Sequence, residues 1–177
     1  MRGDSALYTF EARIQTRPSA AGDCEAIALR GCGYRTLGIR PAMLAASVFP
    51  LTFEQAEAAL AALPRMFIEP DGSFVWVADG GERSWQLDGQ MYDRDGHVLY
   101  VEVKGNCPAD AFDRLLRAFG WPDVPLVFQL IREAVYLDEA GFRRYAATSA
   151  VESEGQPLFI SDTVSVAPNA QEEPLIG

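Results

Sequence analysis

The 177-residue chain is short of the side chains from which most catalytic and metal sites are built. It has one histidine, His97, and three cysteines, Cys24, Cys32 and Cys107. An odd cysteine count without a C-x-x-C pair argues against a disulfide framework and favours a reducing, cytoplasmic setting. Three thiols and one imidazole would suffice in number for a Cys₃His zinc site. Structural zinc ligands come in close pairs, however, and Cys24 and Cys32 stand eight apart with Cys107 remote. His97, beside a turn and on the expected apolar side of its strand, reads as a structural residue rather than the centre of a Ser-His-Asp triad. Long hydrophobic runs are missing as well. No stretch approaches the ~18 apolar residues of a membrane span, and Met1-Arg2-Gly3-Asp4 leads into no apolar segment of a secretory signal. A membrane partner is not expected.

Lysine is nearly absent. Fourteen of the 15 basic residues are arginine, and the exception is Lys104. Against them stand 25 acids, for a net charge of −10. Residues 1–50 carry six cations and four acids, whereas residues 148–177 carry five acids and no cation. An acidic chain repels phosphate backbones and anionic lipid, so non-specific nucleic-acid binding is disfavoured.

Several motifs fail on inspection. Gly31-Cys32-Gly33 follows a strand candidate, but the third glycine of a dinucleotide loop would fall at Thr36, and a glycine turn is the better account. Neither a Walker sequence nor a G-x-S-x-G elbow is present. Asp93, Asp95, Gly96 and Glu102 fit a calcium loop in spacing, but its first ligand would be Met91. An Asp- and Gly-rich hairpin turn explains them instead.

What is present is a patterned α+β chain, 49% hydrophobic. Alternation predicts strands at 6–14, 25–30, 34–39, 66–69, 73–78, 84–92, 97–104, 125–131 and 134–137. Pro41 opens a short helix through Val48. Thr52 and Gln55 form a capping box for a helix over 53–63, stopped by Pro64. Pro108 opens another, whose Phe112, Leu115, Leu116 and Phe119 make an apolar stripe ended by Gly120. A last short helix spans 139–147. Hairpins outnumber strand–helix alternations, which favours one domain with a mainly antiparallel sheet and helices packed on one face. The domain is expected over 1–147. Residues 148–177 read as an acidic, largely disordered tail in which 158–166 is a further strand candidate.

One constellation has a chemical reading. Alternation places Asp88 on the polar side of strand 84–92, and Glu102 and Lys104 on the polar side of strand 97–104. A three-residue loop, Arg94-Asp95-Gly96, would sort both apolar sets onto one face. It would pair Asp88 directly with Glu102, and Gln86 with Lys104. Facing carboxylates destabilise a hairpin unless a cation offsets them.

Asp88 followed by Glu102-Val103-Lys104 on the next strand resembles the PD-(D/E)xK nuclease core, as does the order helix, strands, helix, strand around it. The resemblance implies that Asp88 and Glu102 hold Mg²⁺ or Mn²⁺ and that Lys104 positions or activates the attacking water in a metal-dependent phosphodiesterase. Leu87 stands where that family has proline. Without that chemistry the same residues form a solvated sheet face with a salt bridge, and no cofactor is called for. The absence of a nucleophile motif and of a phosphate loop points first to a small non-catalytic cytosolic module that binds another protein. An acidic chaperone-like homodimer is a third expectation.

Overall fold

In the computed structural model, residues 7–80 and 84–154 are described, with only the backbone given at 149–154. Nine strands and four helices are present among them. Seven strands form one antiparallel sheet. They are β1 (Leu7–Thr16), β4 (Met66–Ile68), β5 (Ser73–Val77), β6 (Gln86–Arg94), β7 (His97–Pro108), β8 (Leu126–Leu130) and β9 (Val135–Leu137), in spatial order β4-β5-β6-β7-β1-β8-β9. The remaining two, β2 (Gly22–Leu29) and β3 (Cys32–Gly38), pair as a separate hairpin. Its turn is Arg30-Gly31, both at positive φ, the backbone that two-residue hairpin turns require. The glycine-turn expectation for this segment therefore stands.

The helices begin where their caps dictate. At α2 (Phe53–Ala61), the Gln55 amide donates to Thr52 Oγ1 and the Thr52 amide donates to Gln55 Oε1, so two otherwise unpaired donors are satisfied. α1 (Pro41–Ala45) starts on its proline. Pro108 ends β7 and caps α3 (Ala109–Arg117) rather than entering it. Asp138 caps α4 by accepting from the Gly141 amide at 2.7 Å. α4 runs over Glu139–Glu154, past the expected end at Ala147. Alanines 146, 147 and 150 are good helix formers, and the loss of cations after Arg144 did not stop the helix. The expected strand at 158–166 lies outside the described residues.

One face of the sheet buries its side chains against α2, α3 and α4. β1 contributes Tyr8, Phe10, Ala12 and Ile14, β6 Leu87 and Met91, and β7 Val101 and Val103. The centre is a phenylalanine cluster: Phe10 meets Phe112 and Phe142 edge-on at 5.3 and 5.2 Å, and Phe142 stacks on Phe128 at 4.3 Å. Such pairs add roughly 0.5–1.5 kcal/mol each beyond their buried area. Two glycines allow close approach. A Cβ on Gly89 would collide with the outer edge of the ring of Phe74, its cross-strand partner, and one on Gly105 (φ +133°) would run into the Gln86 carbonyl oxygen.

The hairpin of β6 and β7 corrects the expected register. Asp95 and Gly96 (φ 52° and 76°) form a two-residue turn between the paired residues Arg94 and His97. By itself that turn would mix the polar and apolar faces. One extra residue, Leu99, stands unpaired between Val98, which faces Asp93, and Tyr100, which faces Tyr92. This bulge restores the face. It also turns both Val98 and Val101 inward and leaves His97 exposed, not on the apolar side as alternation alone had it.

The packing makes a direct prediction. Leu60 and Leu116 are fully buried, so Leu60→Ala and Leu116→Ala should each cost about 2–5 kcal/mol in urea unfolding. Losses under ~1 kcal/mol would mean that the helices do not seal this core.

Candidate functional site

Past the bulge, β6, β7 and β1 lay their polar side chains in rows across the face opposite the helices. One row reads Asp88, Lys104, Glu11 and the next Gln90, Glu102, Arg13, each flanking residue in register with the β7 residue between. Asp88 thus pairs with Lys104 and not with Glu102, and Gln86 pairs with Asn106 and not with Lys104. The three residues singled out from the sequence do share one face. The two carboxylates, however, are diagonal neighbours, a relation that ordinarily puts side-chain roots about 7–8 Å apart rather than ~5 Å.

Each acid has a partner. Arg13 donates to Glu102 Oε1 from Nη2 at 2.6 Å and from Nε at 3.2 Å. Its guanidinium also lies 4.2 Å from the centre of the Tyr100 ring. Tyr92 stacks on Tyr100 at 4.5 Å and donates its hydroxyl to Glu102 Oε2 at 3.4 Å. The Glu102 charge, first among the causes, raises the Tyr92 phenol above its ordinary value. Asp88 Oδ1 accepts from Gln86 Nε2 at 2.8 Å, and Glu11 Oε2 accepts from Arg132 Nε at 3.1 Å. Lys104 stands exposed between two acids in register, yet it makes no ion pair within 4 Å among the described residues. Among those residues, no three His, Cys, Asp or Glu side chains converge on one point.

The sequence reading missed Arg13, Glu11 and Tyr92 as members of this face. The alternation of strand 6–14 already put Glu11 and Arg13 on its polar side. What was lacking was the long-range pairing of β1 with β7, which no local pattern encodes.

Beside this face, β1 runs past the end of β8. The Arg30 guanidinium lies 4.5 Å over the Tyr145 ring, and the Tyr145 hydroxyl donates to Glu133 Oε1 at 2.6 Å. Burial first, then the hydrogen bond to Glu133, push the Tyr145 phenol up to about 12. Of the thiols, Cys24 and Cys32 are exposed and free, while Cys107 is buried and its ionisation is strongly suppressed by that burial. No described helix is long and apolar enough to cross a membrane. Set against family models, curated proteins and solved structures, the chain finds no match in any of the three comparisons.

Two outcomes follow from this geometry. A double-mutant cycle on Arg13→Ala and Glu102→Ala should give a coupling of about 0.5–1 kcal/mol, the scale of a half-exposed ion pair, and it should shrink in 1 M salt. A zero coupling would remove Arg13 from the site. The raised Tyr145 phenol makes a pH statement. An unfolded chain releases that proton near the ordinary phenol value of 10.0 while the folded chain holds it to about 12. The stabilisation is therefore complete below pH 10 and is lost as pH climbs from there to about 12. Urea midpoints across that window should fall more steeply for the wild type than for Tyr145→Phe. Parallel curves would show that the phenol is not held.

Proposed function

We propose that this chain is a non-catalytic binding module that engages a protein partner through the sheet face its helices leave open. The observation that carries this is an apolar step on that face. Phe67, 60% exposed, and Val75, 37% exposed, are cross-strand neighbours on β4 and β5. They adjoin the row of Asp88, Lys104 and Glu11. An exposed aromatic beside ordered polar groups suits an interface anchor with a polar rim. The free thiols of Cys24 and Cys32 favour a cytoplasmic setting, and the acidic balance favours a protein over a nucleic acid.

The metal-dependent phosphodiesterase remains the competing proposal. It would use Asp88, Glu102 and Lys104, and it requires Glu102 to release Arg13 and turn toward Asp88. Homodimerisation through the same face is an alternative occupant.

A photo-crosslinking residue placed at Phe67 in cells should trap one dominant protein, identified by mass spectrometry. The conjugate should be lost with Val75→Arg and absent when the probe sits at exposed Asp71. The proposal fails if only the chain itself is trapped or if no conjugate forms. It fails equally if the purified protein nicks DNA or RNA with Mn²⁺ and Asp88→Asn abolishes the nicking.

A further inference from the structure

β8 pairs with β1 only from Ala12 to Thr16. From Leu7 to Glu11, β1 pairs with β7 alone among the described strands. A cleft of about 250 Å³ opens beside that stretch. The buried rings of Phe10 and Tyr145 give it an apolar wall, and Thr9, Asn106 and Lys104 give it a polar one. Three of the chain's cations line it, Arg30, Lys104 and Arg132, against two acids, Glu11 and Glu133.

Both acids are already engaged, Glu11 by Arg132 and Glu133 by the Tyr145 hydroxyl. That leaves Lys104 as a lining cation whose two in-register acids, Asp88 and Glu11, accept from other side chains. Lys104 makes the point most directly. Two acids flank it in register, and its ammonium pairs with neither, although it lines the cleft.

We infer that the cleft binds a small organic oxyanion, a carboxylate or phosphate carried on an apolar body. The oxyanion accepts from Lys104 Nζ and the Asn106 amide, and the body lies along Phe10 and Tyr145. The volume falls just under the ~300–1,000 Å³ of ordinary small-molecule sites, so the ligand is of small-metabolite size. The overall charge of −10 opposes a dense polyanion, which separates this ligand from nucleic acid. The cleft shares Lys104 and Glu11 with the row beside Phe67 and Val75, but its apolar wall is Phe10 and Tyr145, and the inference does not rest on the Phe67 proposal.

Benzoate and phenyl phosphate serve as probes, titrated into the ¹⁵N-labelled full chain, with benzyl alcohol as the neutral control. Saturable shifts centred on the Thr9, Glu11 and Asn106 amides are expected with at least one anion. Lys104→Gln should weaken binding at least about fivefold, and Lys104→Arg, which keeps the charge, should retain most of it. A melting temperature within a few degrees of wild type confirms that each variant is folded. The inference is overturned if neither anion gives saturable shifts. It is also overturned if benzyl alcohol binds as well as benzoate, if the shifts map elsewhere, or if Lys104→Gln binds like wild type. Crosslinking at Phe67 is unaffected by any of these results.

Discussion

A single unpaired residue, Leu99 in β7, sets the arrangement of the polar face. The tight Asp95-Gly96 turn is strongly preferred by its chemistry, because both positions need positive φ and Asp-Gly supplies it cheaply. Continued without interruption, that turn would place Asp88 against Val103 and drive polar groups into the core. The bulge absorbs the conflict. It lets the hairpin keep its favoured turn while Leu87, Met91, Val101 and Val103 all remain buried.

The same shift decides the electrostatics. Moving β7 by one residue past the turn brings Lys104 opposite Asp88 and brings Glu102 between Gln90 and Arg13. The first row then alternates in sign across three strands, and in the second Arg13 stands beside Glu102 with Gln90 neutral on the other flank. Arg13 and the Tyr92–Tyr100 stack hold Glu102 from two sides. Lys104 is the member without an ion pair within 4 Å among the described residues, and its position between the open face and the β1 edge is what links this hairpin to the neighbouring cleft.

Much of the fold was legible locally. The Thr52–Gln55 capping box, the stripe of Phe112, Leu115, Leu116 and Phe119, and the alternation in β1 and β6 each correspond to a short-range physical rule. What escaped was non-local or compensatory. Alternation predicts where a strand points only while the strand stays regular, so Leu99 misplaced His97 and shifted Glu102 relative to Asp88. Arg13 sits 89 residues from its partner Glu102, and only sheet order joins them. α4 outlasted its expected end because helix propensity continued after the charge pattern had changed. Asp88, Glu102 and Lys104 were thus placed on one face correctly and mistaken in their pairing.

The register of β6 against β7 is the claim on which the face, its charge pairing and the role of Lys104 all rest. Cross-strand NOEs in the isotope-labelled protein measure it directly. The account predicts contacts linking Asp88 to Lys104, Gln90 to Glu102 and Tyr92 to Tyr100, with Leu99 lacking a β6 partner. Contacts linking Asp88 to Glu102 and Gln86 to Lys104 would contradict it and return the two carboxylates to a facing pair.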